Sequence, residues 1–109
     1  MINLASFRII GRIGSINQRE KVTHISIASD RNVKDVEGNW SNETVWNSVT
    51  VFSDAMRKRL KNAKASKTGN LILVEGSIQS SSFEKESQTV YRTDLVANDL
   101  EILSFAKES

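Results

Sequence analysis

Thr44-Val-Trp-Asn-Ser-Val-Thr-Val-Phe52 contains the strongest strand signal in the sequence, because β-branched and aromatic residues recur throughout it. The next stretch, Ser53-Asp-Ala-Met-Arg-Lys-Arg-Leu-Lys-Asn-Ala63, changes to helix-forming residues. Ser53 is suited to cap this helix, and Met56 and Leu60 share one of its sides. We therefore expect one short helix directly after a strand.

Two further strands are predicted upstream. The first covers residues 4–16 and contains Gly11 and Gly14. A glycine inside a strand marks a bulge or a sharp corner, which a small closed barrel needs where one strand serves both halves of the sheet. The second covers residues 22–28, and the polar stretch 30–41 is predicted to be a long exposed hairpin connection.

Two more strands are predicted downstream of the helix. Residues 71–78 form the fourth, with a bend at Gly76, and residues 89–97 and 100–103 form the fifth after a Ser-rich hairpin. Three strands, a helix and two strands is the element order of the OB fold, although several small β-barrels share five strands. We expect an all-β protein with one short helix, a five-stranded Greek-key OB-fold barrel at about residues 4–103 of a single domain, 1–109.

Composition excludes several classes of protein. The chain has 109 residues, 39% of them apolar and 26% charged, which fits one globular domain. It has no cysteine, so disulfides, thiolate chemistry and cysteine-based zinc sites are excluded. No membrane-spanning apolar run or signal-peptide pattern occurs, so we expect a cytoplasmic location. The formal net charge of +2 permits a polyanionic partner without requiring one.

Catalytic and cofactor motifs are lacking. The sequence contains no P-loop, dinucleotide fingerprint or nucleophile elbow. His24 is its only histidine, and a lone histidine without cysteine or clustered carboxylates is usually structural. We predict a protein that is not an enzyme, with no cofactor and no metal site.

Four stretches carry a resemblance to a known family. They are Ile10-Gly-Arg-Ile-Gly14, Gly38-Asn-Trp-Ser-Asn-Glu-Thr-Val-Trp46 leading into Val49-Thr-Val-Phe52, Leu73-Val-Glu-Gly-Ser-Ile78, and Tyr91-Arg-Thr-Asp-Leu-Val-Ala97. In this order and spacing the chain resembles bacterial single-stranded DNA-binding proteins from about Phe7 to Leu103. The resemblance implies an OB-fold homo-oligomer, a tetramer or a dimer, that binds and protects single-stranded DNA in replication, repair or recombination.

The chain also departs from that family. Uncharged residues, Gln79, Ser81 and Ser82, stand where relatives often carry cations, which implies weaker phosphate binding. Asn47 stands where relatives often carry a histidine at the subunit contact, so one residue that the resemblance implies for the tetramer is missing. The sequence ends at Ser109 without the family's linker and acidic tip, so tail-dependent protein partners are not expected. It is either a truncated chain or a short phage, plasmid or mobile-element variant.

Aromatic residues are the candidates for base stacking, since every base has a π face that a ring can cover. Trp46 and Phe52 lie six residues apart on one predicted strand and so share a face. Both could be core residues, but Ser48 and Thr50 between them favour a wet binding face. The other candidates are Phe83 in the second hairpin and Trp40 in the first, although Trp40 could pack back onto the barrel.

Five cations are candidates for phosphate contacts, namely Arg12, Arg31, Lys34, Lys85 and Arg92. Each alone could equally be a solvated surface charge. The basic run from Arg57 to Lys64 is predicted to be a solvated helix face at the end of the barrel, away from the binding groove. The alternative function is that of an OB-fold accessory protein acting mainly through protein contacts, such as a mobile-element-encoded primosome or recombinase partner.

Overall fold

Five strands and one short helix make up the structure, a computed structural model that describes residues 5–107. In chain order these are β1 (Ser6–Gln18), β2 (Thr23–Lys34), β3 (Trp40–Val51), α1 (Asp54–Leu60), β4 (Leu71–Lys85) and β5 (Gln88–Ser104). The strands form a closed barrel in the order β1-β2-β3-β5-β4. The all-β OB-fold barrel with one helix is therefore confirmed. Leu4, where the sequence analysis began the barrel, lies outside the described residues.

Strand β1 closes the barrel by pairing with two neighbours. Ser6 to Arg12 pair with β4, and Arg12 to Gln18 pair with β2. The register shifts between Ile13 and Ser15, so Gly14 lies in the bulge predicted for this strand. A second register shift occurs beside Gly76, where an added Cβ would lie 1.9 Å from the backbone oxygen of Val96. Only glycine fits such a close approach of two backbones.

The core of the barrel is aliphatic. Alternate residues of each strand point inward, and the fully buried side chains include Ile13, Ile25, Ile27, Val49, Val51, Ile72 and Val74. Helix α1 covers this core with Leu60, which is 1% exposed, and with the partly buried Met56. Ser53 caps the helix as predicted, since its Oγ accepts a hydrogen bond from the Met56 amide. The helix is shorter than predicted and ends at Leu60 rather than at residue 63.

Two hairpins extend beyond the barrel as paired arms. The stretch 30–41, predicted to be a hairpin connection, is mostly strand, because β2 and β3 remain paired as far as Lys34 and Trp40. Strands β4 and β5 likewise stay paired to Lys85 and Gln88. No sequence pattern predicts these extensions, since exposed strands need no apolar alternation. They raise the radius of gyration to 16.5 Å, above the value of about 13 Å expected for a compact domain of this size.

Candidate nucleic-acid interface

Most aromatic side chains of this protein lie outside the barrel. The seven aromatic residues are two Trp, one Tyr and four Phe. Phe7 packs against the core, and the other six are exposed: Trp40, Trp46, Phe52, Phe83, Tyr91 and Phe105. Large rings normally supply much of a core's buried apolar area, so their exclusion here needs a reason. The exposed rings make this outer surface the candidate for base stacking.

Three of these rings share one side of β3, which we call the β3 aromatic face. Trp40, Trp46 and Phe52 recur at every sixth position, with Phe52 directly after the strand, and an even spacing places them on the same side. Successive rings are about 20 Å apart along the strand. Val49 and Val51 point the other way and are fully buried. Exposures of 60% for Trp46 and 57% for Phe52 contradict the alternative that both are core residues.

Trp40 joins this face because the β2–β3 arm is a regular ladder. It pairs with Lys34, and the Lys34 Nζ lies 5.8 Å from the centroid of its ring. This distance is within the range of a cation–π interaction. Trp40 is 68% exposed and does not pack back onto the barrel. Lys34 and Trp40 thus place a cation and an exposed ring on the same side of the arm.

The ring of Trp46 lies across the barrel surface onto Gly14. An added Cβ on Gly14 would lie 2.3 Å from Cζ3 of Trp46. Between them, β2 presents only the small outward side chains of Ser26 and Ala28. The glycine spacing in β1 predicts only a bend at Gly14 and does not indicate this contact. The sequence signal for this contact is the small size of the outward residues of β2, which leave room for a large neighbouring side chain.

The second hairpin carries Phe83, which is 47% exposed, on a face that it shares with two predicted cations. Paired residues of antiparallel strands project to the same side, and Ser81 pairs with Arg92. Phe83, Lys85 and Arg92 therefore lie on one side of the β4–β5 arm. Gln79 and Ser81, two of the uncharged positions noted above, are on this side as well. Ser82 is on the opposite side, opposite Tyr91.

Neighbouring acceptors engage most of the predicted phosphate-binding cations. Arg92 Nε lies 2.9 Å from Asp94 Oδ1. Arg31 pairs with Glu43 at 3.2 Å and, from the register, lies on the side of the arm opposite to the β3 aromatic face. Arg12 shares the Trp46 side through their common neighbour Ala28, and its Nη1 donates to the backbone oxygen of Gly69 at 2.9 Å. At the proposed interface, the carboxylate of Asp94 therefore partly cancels the positive potential of Arg92.

His24 lies on the outer side of β2, where its Nδ1 is 3.3 Å from the Thr50 hydroxyl. No group of three metal-ligating side chains occurs within residues 5–107. In the same part of the chain, no helix has the length and apolar character needed to cross a membrane.

The contact between Gly14 and Trp46 predicts the effect of a single methyl group. In a Trp40→Phe background, in which Trp46 is the only tryptophan, Gly14→Ala should displace the indole and shift its fluorescence emission. Ser15→Ala, at the next residue of the same bulge, is the matched control and should leave the emission unchanged. Identical emission with and without Gly14→Ala would show that the ring does not rest on Gly14.

Comparisons with known proteins agree with this architecture. The model of the single-strand binding protein family matches residues 5–103. No curated protein sequence matches the chain. Among solved structures, the mitochondrial single-stranded DNA-binding protein Rim1 of S. cerevisiae is 26% identical with a TM-score of 0.70, covering 96% of this chain and 100% of Rim1.

Two further structures share the fold at lower identity. The Plasmodium falciparum SSB in complex with single-stranded DNA is 19% identical with a TM-score of 0.71, covering 98% of each chain. The small single-stranded DNA-binding protein of Streptomyces coelicolor is 16% identical with a TM-score of 0.57, covering 93% of this chain and 95% of that one. With a family model that spans nearly the whole barrel, this chain belongs to the single-strand binding protein family.

Proposed function

We propose that this protein binds single-stranded DNA independently of sequence, by stacking bases on exposed rings and contacting phosphates with neighbouring cations. The rings are Trp40, Trp46, Phe52 and Phe83, and the cations are Arg12, Lys34, Lys85 and Arg92. One observation carries the proposal: six of the seven aromatic side chains surround an aliphatic core instead of filling it. Arg31 is left out of this set because it lies on the opposite side of its arm and is paired with Glu43.

The comparisons support this ligand. The family is named for binding single strands, Rim1 is a single-stranded DNA-binding protein, and the Plasmodium relative was solved with single-stranded DNA bound. The alternative, an accessory protein acting mainly through protein contacts, is not favoured by these matches. It also leaves unexplained why exposed rings and cations share one side of each arm.

The mechanism that follows is occupancy. A strand lying along the β3 aromatic face has its bases covered by rings and its phosphates held by cations, so it can neither re-anneal nor enter a nuclease site. This requires binding and no chemistry on the DNA. A location in the cytoplasm and the absence of enzymatic activity stay predictions.

Trp46→Ala tests the stacking role directly. Loss of one stacking ring should cost about 1–3 kcal/mol in affinity for oligo-dT, measured by fluorescence anisotropy of a labelled oligonucleotide. Thermal stability should change little, because Trp46 is 60% exposed. Tyr91→Ala is the matched control, since it removes another exposed ring from the opposite side of the β4–β5 arm. A collapse in stability with intact affinity per folded molecule would make Trp46 a structural residue.

Salt dependence tests the weak phosphate contacts. Each phosphate contact on a single strand contributes a slope of about −0.7 to the plot of log affinity against log salt, so the slope should be shallow here. Gln79→Lys with Ser81→Lys should steepen the slope by about 0.7 for each new contact. Ser82→Lys adds the same charge on the opposite side of β4 and should have a smaller effect. Equal slopes in the wild type and the double variant would mean that Gln79 and Ser81 do not face the strand.

Association of barrels through β1 is also proposed. Within the described residues, positions 6–11 of β1 pair only with β4, so their other backbone edge is open, and Ile10 is 53% exposed beside it. An open, partly apolar edge is stabilised by pairing with a second copy, which gives a dimer or, through a further contact, a tetramer. Light scattering at tens of micromolar should give at least twice the chain mass of 12.2 kDa. A mass of one chain would contradict association.

A further inference from the structure

A cleft with a volume of about 530 Å³ lies between α1 and the segment that follows β5, at the end of the barrel. We call it the α1 cleft. Its walls include Ala55, Lys58, Arg59, Asn62, Lys64 and Phe105. The cleft is separate from the β3 aromatic face, and none of the residues assigned above to DNA binding lines it. The cleft is open to solvent, because all of these wall residues are exposed.

A buried asparagine fixes the walls of this cleft. Asn70 is fully buried, and its Nδ2 donates to the backbone oxygens of Lys64 at 2.8 Å and Ala65 at 3.1 Å. Its Oδ1 accepts a hydrogen bond from the Ala106 amide at 2.7 Å. One side chain thus ties the loop after α1 to the segment that carries Phe105. A site held in place in this way loses little conformational entropy when it binds.

The chemistry of the cleft is cationic and aromatic. Three of its wall residues are cations and none is a carboxylate. Arg59 is fixed by a hydrogen bond from its Nη1 to the Leu100 oxygen at 2.8 Å, whereas Lys58 and Lys64 form no ion pair within the described residues. Lys64 Nζ lies 4.7 Å from the centroid of the Phe105 ring, which is itself 49% exposed. The cleft therefore suits an anionic ligand with a flat or apolar group.

The cleft begins close to the end of the β3 aromatic face. Phe52 precedes Ala55 by three residues, with only the cap residue Ser53 and the first residue of α1 between them. The seven residues of α1 span about 10 Å. A ligand that leaves the aromatic face at Phe52 therefore reaches the cleft within about one helix length.

We propose that the α1 cleft binds a second segment of the single strand, with a base against Phe105 and phosphates beside Lys58 and Lys64. This inference rests on the proposed function and extends the bound length of DNA beyond the β3 aromatic face. Rings flanked by cations are what a protein needs to hold single strands without reading sequence. Continuity with Phe52 favours a strand over an acidic peptide, which would have no reason to start there.

A length series of oligo-dT tests the cleft. OB folds occupy about 4–16 nucleotides, so oligonucleotides at the short end cover only the β3 aromatic face, and those at the long end reach the cleft. Lys58→Ala with Lys64→Ala should reduce the salt slope by about 1.4 for long oligonucleotides, since each phosphate contact contributes about 0.7. The difference from wild type should disappear as the oligonucleotide shortens. Lys61→Ala is the matched control, because it removes the same charge from the end of α1 outside the cleft.

A second variant tests the ring. Phe105→Ala should weaken binding of long oligonucleotides by about 5-fold to 150-fold, which is the stacking contribution of one base expressed as a ratio. If Phe105→Ala fails to fold, the lysine pair still decides the question, because both lysines are exposed and bear no structural hydrogen bond from their side chains among the described residues.

The outcomes separate this inference from the proposed function. No binding of any oligo-dT by the wild type would overturn the proposed function itself. Oligo-dT binding could depend on Trp46 while substitution of the lysine pair has no effect at any length, or the same effect at all lengths. Either result would overturn only the inference that the cleft binds DNA. The third outcome is that the wild type binds a polyglutamate peptide, and that Lys58→Ala with Lys64→Ala abolishes this binding without changing oligo-dT binding. That result would assign the cleft to an acidic protein partner instead.

Discussion

Closure of the barrel by β1 is the constraint on which the rest of this structure depends. A single strand must pair with β4 in its first half and with β2 in its second, and it does so through a bulge at Gly14. Because the sheet has closed on itself, every strand has one inward and one outward side. The alternation of side chains then decides, residue by residue, what is buried and what is available for binding. Closure therefore creates both the core and the outer surface.

The interior of so small a barrel favours short branched side chains over rings. Ile, Val and Leu supply nearly all of the fully buried apolar residues, and Phe7 is the aromatic residue that packs against them. Rings are thereby available for the outer surface, where Trp46 needs space that its neighbours provide. Gly14 has no side chain, and Ser26 and Ala28 have small ones, so the indole has room to reach Gly14.

Charge on the outer surface is balanced more than the residue types suggest. Arg31 and Arg92 each have a carboxylate partner, and exposed ion pairs of this kind contribute little stability while reducing the local positive potential. Stacking, which is less sensitive to salt than phosphate contact, consequently supplies a larger share of the proposed binding energy. Lys58 and Lys64 at the α1 cleft also form no ion pair within residues 5–107, so their charge is not reduced in this way.

Periodicity and composition determined the order of elements, the helix cap at Ser53 and the shared side of Trp46 and Phe52, because each depends on neighbours along the chain. The motifs also carried the family likeness. Only the tertiary structure decided that residues 30–41 are mostly paired strand, since an exposed ladder leaves no apolar pattern, and this placed Trp40 on the β3 aromatic face. It also decided that Arg31 meets Glu43, that Trp46 rests on Gly14, and that Phe105 meets Lys64. These contacts join residues far apart in the chain or on different strands, so their proximity depends on how the barrel closes and not on any local pattern.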